Sequence, residues 1–177
     1  MKTVIKIVST VILGIGFAFL VNSCKKDPAN GYMSVKMTDA PADYLKVNVE
    51  VLDVQVHNEA SGWVSLPTNA GIYNLLDLQN NVTVALASHA NVPAGKLNQM
   101  RLVLGSHNSL ITVADTFDLK VPSGEETGLK MNLSYNLSPN KHMVVVLDFD
   151  AAASIVDKGN GSYSLKPVIK VKSVTEI

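Results

Sequence analysis

The sequence has little cysteine, few aromatic residues and no excess of charge of either sign. Cys24 is the only cysteine among 177 residues, which excludes a disulfide within one chain and a site built from several thiolates. Fifteen lysine and arginine residues balance fifteen aspartate and glutamate residues, so no basic surplus attracts a phosphate backbone. We therefore expect no nucleic-acid partner. Aromatic residues make up 6% of the chain, which argues against a broad surface of sugar-stacking rings.

One long apolar run is present, from Ile7 to Val21, and it is shorter than a spanning helix requires. Lys2 and Lys6 precede the run, and the chain turns polar after Cys24. A basic start, a modest apolar stretch and a small residue at the cleavage point are typical of a secretory signal peptide. The stretch Val21-Asn22-Ser23-Cys24 resembles a bacterial lipobox, which implies cleavage before Cys24 and lipidation of that cysteine.

On this interpretation residues 1–23 are a lipoprotein signal peptide, residues 24–31 a lipidated tether and residues 32–177 a single domain. Each buried methylene of an acyl chain contributes about 0.8 kcal/mol, so two or more chains hold a protein on a bilayer essentially permanently. We expect a lipid-anchored protein of the cell outer membrane. Whether it faces the periplasm or the exterior is left open.

Beyond the tether, apolar residues recur at every second position, which is the period of a strand with one buried face. Residues 129–137 show this most clearly, because leucine, methionine and tyrosine alternate there with lysine, asparagine and serine. Met33, Val35 and Met37 predict a first strand that ends at Thr38-Asp39-Ala40-Pro41. Residues 143–149 are nearly all valine and leucine, and they predict a central strand covered on both faces.

The second predicted strand changes phase in its middle. The apolar positions of the first phase are Val47, Val49 and Val51, and those of the second phase are Val54 and Val56. A strict alternation changes phase only through an extra residue, so we predict a β-bulge around Leu52-Asp53.

Further strands are predicted at 63–66, 72–78, 99–104, 110–113, 117–121 and 163–174, the last entered through a hairpin turn at 157–161. Residues 82–90 favour a strand or loop over a short helix. Short strands at regular spacing predict an all-β fold, namely an antiparallel two-sheet β-sandwich of immunoglobulin or transthyretin type with about seven to nine strands.

Several landmarks follow one another in an order that resembles a known family. They are Val35-Lys36-Met37-Thr38-Asp39-Ala40-Pro41-Ala42-Asp43, Trp63-Val64-Ser65-Leu66, Tyr73-Asn74-Leu75-Leu76-Asp77-Leu78, Val92-Pro93-Ala94-Gly95-Lys96, Leu147-Asp148-Phe149-Asp150-Ala151 and Leu165-Lys166-Pro167-Val168-Ile169. The set is similar to the DUF4382 family, domains of unknown function in bacterial cell-envelope lipoproteins, especially those of Bacteroidetes. The resemblance implies a location and a β-sandwich, but it implies no reaction and no functional residue.

Three aspartates are the residues in this sequence that most resemble a functional site. Asp148 and Asp150 flank Phe149, so both carboxylates point to one face of a strand, and Asp39 follows the first predicted strand. Carboxylate oxygens that converge could bind calcium, but the spacing of a calcium loop is absent. The alternative is structural: Asp39 caps its own turn, and Asp148 or Asp150 accepts backbone hydrogen bonds or pairs with Arg101 or a lysine. We favour this structural role and expect no cofactor.

The sequence shows no catalytic constellation. His57, His89, His107 and His142 are scattered, without the spacing of zinc ligands, and we expect them on the surface. No serine lies in a nucleophile elbow, and no serine, histidine and acid follow a recognisable order. We therefore expect a protein that is not an enzyme.

Trp63 is the one candidate for ligand binding. A tryptophan can offer its face to a sugar, whereas its valine-rich context favours a place in the core between two sheets. The leading hypothesis is a non-enzymatic binding module whose end loops recognise a glycan or a protein. The alternatives are an assembly component that joins others through its sheet edges, and an accessory subunit of an outer-membrane nutrient-uptake system.

Overall fold

The computed structural model describes residues 29–122 and 128–177, and these residues form a nearly all-β structure. The strands are β1 (Asn30–Asp39), β2 (Lys46–Asn58), β3 (Gly62–Ser65), β4 (Gly71–Asn74), β5 (Val84–Pro93), β6 (Gly95–Leu104), β7 (Ser109–Ile111), β8 (Thr116–Asp118), β9 (Leu129–Leu137), β10 (His142–Phe149), β11 (Ile155–Asp157), β12 (Tyr163–Leu165) and β13 (Ile169–Glu176). A single helical turn, α1 (Ala151–Ser154), follows β10, and a 3₁₀ turn spans Leu75–Leu78. The described residues thus contain 13 strands, more than the seven to nine predicted.

Two sheets pack face to face, which confirms the sandwich. The smaller sheet has the strand order β13-β10-β1-β5, and the larger has the order β8-β7-β2-β6-β9, with β3 and β4 also paired to β2. A third, two-stranded sheet is the hairpin β11-β12. The pairing between β1 and β10 is parallel, whereas every other strand pair of the described residues is antiparallel, so the smaller sheet is mixed. A parallel pair requires a long crossover, and the segment from β2 to β9 supplies it.

Strand β2 carries the predicted bulge. The pairing register between β2 and β6 shifts between Val51 and Asp53, which confirms the position derived from the phase change. All five valines of the strand have no exposed surface, while Leu52 remains 47% exposed. The bulge therefore lets both halves of a thirteen-residue strand bury their valines in one core.

The core lies between the inner faces of the two sheets. Strand β1 contributes Met33, Val35 and Met37, and β10 contributes alternate residues that end at Phe149, all without exposed surface. Strand β9 matches its predicted range, with Met131 and Leu133 buried while Asn132 is exposed. Strand β10 is an interior strand of its sheet as predicted, but Val144 and Val146 on its outer face are only half-buried. The expectation of cover on both faces is therefore only partly met.

Two predicted strands are interrupted. The strand expected at 72–78 ends at Asn74, whose side-chain Oδ1 accepts a hydrogen bond from Leu76 N and starts the 3₁₀ turn. The strand expected at 163–174 divides into β12 and β13 on either side of Pro167, a residue that cannot donate to a ladder. The hairpin turn expected at 157–161 joins β11 to β12. Residues 84–93 form β5, in agreement with the preference for a strand or loop.

Deletion of single residues tests how the bulge sets the phase of β2. Removing Leu52 places Val51 and Val54 in one continuous alternation, so we expect a folded protein that loses about 1–2 kcal/mol of unfolding free energy. Removing Gln55 turns Val56 outward and His57 inward, which we expect to cost about 4 kcal/mol or more because it exposes valine and buries a polar ring. Denaturant unfolding followed by circular dichroism measures both losses. Equal losses in the two deletions would contradict this account of the bulge.

Candidate functional site

The parallel pairing of β1 with β10 brings the three predicted aspartates to one end of the smaller sheet. Thr38 lies opposite Asp148 and Asp39 lies opposite Phe149, so Asp150 follows directly. Asp148 and Asp150 both act electrostatically on Asp39, which is 3% exposed. The fold therefore brings Asp39 close to Asp148 and Asp150, as a shared carboxylate cluster would require.

Each of these aspartates has a partner in the fold. Asp148 forms ion pairs with Lys170 at 3.3 Å and Lys172 at 3.5 Å, which confirms its expected pairing with lysine. Asp150 caps α1, because its Oδ1 accepts a hydrogen bond from Ala153 N at 2.8 Å.

Asp39 joins two distant segments, because its Oδ1 accepts a hydrogen bond from Ala151 N at 2.9 Å. We had expected Asp39 to cap only the turn that follows it, whereas its carboxylate also bonds to a segment 112 positions further along the chain. The second oxygen, Oδ2, is buried and has no hydrogen-bond partner.

The three carboxylates do not make a calcium site in this arrangement. Among residues 29–122 and 128–177, no group of three histidine, cysteine, aspartate or glutamate side chains is placed to hold a metal ion. One oxygen of Asp39 and one of Asp150 accept hydrogen bonds from backbone amides, and Asp148 forms ion pairs with lysines. The geometry therefore favours the structural reading of Asp39, Asp148 and Asp150.

Burial raises the pKa of Asp39 to about 6, against the ordinary value of 3.8. Hydrogen bonds from the amides of Ala151 and Ala40 lower the pKa, and the neighbouring Asp150 and Asp148 raise it again. Burial dominates because Oδ2 has lost water without gaining a donor. Ionisation of Asp39 therefore destabilises the folded protein.

Trp63 lies on the outer face of the larger sheet, and the expectation that it packs between the sheets is wrong. It pairs with His57, which alternates with the buried Val56, while its neighbour Val64 packs against the core. Opposite residues of an antiparallel pair share one face. The valine-rich context misled the sequence interpretation because β3 is a short edge strand, whose alternate residues face solvent.

A network of polar side chains surrounds Trp63. The Arg101 guanidinium lies over the indole, 4.3 Å from the ring centre, and His57 meets the indole edge-on with 5.1 Å between ring centres. Arg101 Nε donates to Gln55 Oε1 at 3.0 Å, and Gln55 Nε2 donates to Asp53 Oδ2 at 2.7 Å. We call these five residues the Trp63 patch. The patch spans β3, β2 and β6. The contact of the Arg101 cation with the face of the Trp63 ring restrains both side chains.

A cleft of about 930 Å³ lies where the β7-β8 edge of the larger sheet meets the β11-β12 hairpin. Lys120, Lys158 and Ile72 line the cleft, and His107 stands at its wall. Glu50 Oε2 accepts hydrogen bonds from His107 N at 2.9 Å and Nδ1 at 2.8 Å. These bonds lower the pKa of Glu50 and keep it ionised beside the cleft.

Two of the four histidines come together on the outer face of the smaller sheet. His89 and His142 have ring centres 4.9 Å apart, and the His89 ring stacks on Tyr32 with 4.1 Å between ring centres. Sequence spacing could not reveal the pair, because it depends on the parallel pairing of β1 with β10 and on an irregularity in β5. The fold thus brings together two histidines that look scattered in the sequence, without the third protein ligand of a closed zinc site among the described residues.

The described residues contain no helix of the length and hydropathy that a bilayer crossing requires. Cys24, the predicted signal peptide and residues 24–28 of the tether lie outside the described residues. Lipidation of Cys24 therefore stays a prediction.

The architecture defines an all-β sandwich with polar outer faces, a class in which sites lie on the sheet faces and the end loops. Residues 30–167 match the family described as Domain of unknown function (DUF4382). The chain belongs to this family, which confirms the resemblance seen in the sequence. No curated protein and no solved structure gives a significant match.

The raised pKa of Asp39 makes stability depend on pH in a direction that can be measured. Folding favours the protonated carboxyl, so the stability that Asp39 contributes is fully present below pH 3.8 and is lost as the pH rises through about 6. Asp39→Asn keeps an oxygen for Ala151 N and cannot ionise. Relative to this variant, the wild-type protein should lose about 1–2 kcal/mol of unfolding free energy between pH 4 and pH 7, after allowance for solvent screening.

Denaturant unfolding of both proteins across this pH range provides the measurement. Glu50 is present in both proteins, so its opposite pH dependence cancels in the difference. Parallel stability profiles for wild type and Asp39→Asn would show that the carboxyl titrates in the folded state as it does in the unfolded chain.

Proposed function

We propose that this protein is a non-enzymatic, lipid-anchored binding module of the bacterial cell envelope that recognises a glycan through the Trp63 patch. The observation that carries the proposal is the position of Trp63, outside the core and within a hydrogen-bonded polar network. Sugars bind to proteins through an aromatic ring flanked by groups that donate and accept hydrogen bonds. The patch offers such a ring beside a guanidinium, an imidazole, an amide and a carboxylate.

The network also fixes the side chains before a ligand arrives. Arg101 is held by Trp63 and Gln55, and Gln55 is held in turn by Asp53. Asp53 Oδ2 accepts a further hydrogen bond from Ser65 Oγ at 2.7 Å. Immobilising one free, rotamer-rich side chain costs about 0.5–1.5 kcal/mol on binding, so a surface that is already ordered loses less of its interaction energy.

Residues paired across the neighbouring strands of the larger sheet extend the patch. Gln99 lies opposite His57 on β6, and Asn132 lies opposite Gln99 on β9. Lys130 lies opposite Arg101 in the adjoining row. The outer face therefore presents amide and cationic groups across β3, β2, β6 and β9, a surface suited to an extended polar chain.

The cleft beside His107 is a concave surface that could serve a ligand, and it fits the expectation of binding at end loops. Its described lining contains two lysines, but no phenylalanine, tyrosine or tryptophan. The Trp63 patch is therefore the better candidate for sugar recognition.

The envelope location rests on the sequence of the amino-terminal segment. A basic start, the apolar run to Val21 and the lipobox-like stretch ending at Cys24 support lipidation. The resemblance drawn from the sequence implies a lipoprotein of Bacteroidetes type. The outer membrane remains our proposed site, with the facing side open.

A second candidate function is assembly through sheet edges. Strand β9 spans nine residues at the end of the larger sheet, and β13 spans eight at the end of the smaller one. Backbone groups on an edge strand can pair with a strand of another chain. Lys130 on β9 and Lys170 and Lys172 on β13 oppose such pairing, so we rank assembly below glycan recognition. A role as accessory subunit of a nutrient-uptake system is compatible with either mode.

Binding of the full-length protein in detergent to a glycan array tests the proposal. Trp63→Ala removes the ring and releases Arg101, so we expect at least a tenfold loss of affinity for any glycan that the wild type binds. Tyr32→Ala is the matched control, because Tyr32 is an aromatic residue on the outer face of the other sheet. Circular dichroism of each variant checks that the sandwich is intact.

Other outcomes separate the alternatives. Loss of binding in Lys120→Ala with Trp63→Ala unaffected would move the site to the cleft. Concentration-dependent multimers without any glycan signal would instead support assembly through the sheet edges.

Substitution of Cys24 tests the anchor independently. In Cys24→Ser the acylated thiol is lost, so metabolic labelling with a radioactive fatty acid should disappear and the precursor should keep its signal peptide. Mass spectrometry of the purified protein measures both effects. Equal fatty-acid labelling of wild type and Cys24→Ser would disprove lipidation at Cys24.

A further inference from the structure

The outer face of the smaller sheet carries a cluster of side chains from three strands. Tyr32 and Ser34 lie on β1, His89 on β5 and His142 on β10. Tyr32 lies directly opposite His142 in the parallel pair. Ser34 Oγ lies 2.9 Å from His142 Nε2 and also accepts a hydrogen bond from His89 N at 2.9 Å. One hydroxyl therefore ties both histidines to the strand between them.

The backbone of His89 is unusual for a residue with a side chain. Its φ angle is +48°, in the left-handed region, and the pairing of β5 with β1 shifts at this position, between the partners of Met33 and Val35. Few residues other than glycine adopt this conformation, and those in a strand mark a bulge that redirects a side chain. Here the irregularity aims His89 across β1 toward His142. Such local strain often accompanies a functional site.

The separation of the two imidazoles fits a shared metal ion. A divalent transition metal binds an imidazole nitrogen at about 2.0–2.1 Å, so two rings on one ion at ordinary bond angles have centres about 4.5–5 Å apart. The centres of the His89 and His142 rings are 4.9 Å apart, with 80° between the ring planes. The spacing of the two rings is therefore compatible with a shared ion.

The hydrogen bond to Ser34 also favours metal binding. When His142 Nε2–H donates to Ser34 Oγ, the lone pair of the His142 ring is left on Nδ1. A ligating histidine generally donates its second ring nitrogen to an oxygen in this way, which fixes both the tautomer and the ring orientation. Tyr32 provides the corresponding support for His89 by stacking on its ring.

We propose that His89 and His142 form a two-imidazole site for a divalent first-row transition cation, with Cu²⁺ and Zn²⁺ as the ions that imidazole prefers. Among the described residues, histidine, cysteine, aspartate and glutamate supply no third ligand to such a site. Water or an incoming ligand therefore completes the coordination shell, as in open metal sites. The site lies on the sheet opposite to the Trp63 patch and does not depend on glycan binding.

Titration of the full-length protein in detergent with Zn²⁺ and Cu²⁺ tests the site, with Cys24→Ser in every sample so that no unacylated thiol competes. Isothermal calorimetry should show one ion per chain. His89→Asn preserves a side chain that tolerates the left-handed backbone, and we expect it and His142→Gln each to weaken binding at least tenfold. His107→Asn is the matched control, because His107 is exposed and distant in the fold, and it should bind as the parent does.

Two further measurements separate coordination from general stability. The electron paramagnetic resonance spectrum of the Cu²⁺ complex should show two imidazole nitrogens in the parent protein and one in each histidine variant. Ser34→Ala removes only the positioning hydroxyl, and it should weaken binding by about 10-fold. Absence of binding by the parent, or equal binding by the parent, His89→Asn and His142→Gln, would overturn the proposal.

Discussion

The parallel pairing of β1 with β10 is the constraint on which the rest of this structure depends. Eight residue pairs join the two strands, from Tyr32 opposite His142 to Asp39 opposite Phe149. The paired residues are more than one hundred positions apart in the chain, so the pairing closes a very large loop. Once it forms, β5 and β13 can add on either side, and the inner face of the sheet can cover the valines of β2.

This one pairing also creates both polar clusters of the smaller sheet. At one end it places Asp39 beside Asp148 and Asp150, where the Asp39 carboxyl bonds to Ala151 and ties β1 to the turn after β10. At the other end it places Tyr32 and Ser34 beside His142. The first cluster consists of acids with structural partners, and the second contains two imidazoles beside a serine hydroxyl and a tyrosine ring. One strand pair therefore positions two clusters of different chemical composition.

The sequence predicted what depends on local alternation. The phase change in β2 located the bulge at Leu52-Asp53, and the alternation of residues 129–137 gave β9 with its exact ends. These features follow from neighbouring residues, since burial on one face imposes a period of two. The break at Pro167 could also be read from the sequence, because proline lacks the amide hydrogen that the ladder requires. The apolar residues on both sides of Pro167 gave no sign that β12 and β13 belong to different sheets.

The sequence could not predict what depends on strand partners. Trp63 was expected in the core because its neighbours are apolar, yet β3 is an edge strand and His57, its partner, faces outward. His89 and His142 looked scattered because 52 residues lie between them in the chain, and the pairing of β1 with both β5 and β10 brings them together. A one-dimensional pattern records which face a residue occupies but not which strand lies beside it. The proposed sites are therefore products of topology.

The two proposed sites share a position relative to the amino terminus. Asn30 pairs with Pro93, Ala94 N donates to Ala29 O, and Asn58 Nδ2 donates to Pro93 O, so the ends of β1, β5 and β2 meet at one end of the sandwich. Trp63 and Tyr32 lie near this end, whereas Asp39 lies at the other. An extended chain spans at most about 3.6 Å per residue, so a lipid on Cys24 would hold Ala29 within roughly 20 Å of the bilayer. A glycan or metal bound at these sites would then lie close to the membrane surface, which favours partners that are themselves part of the envelope.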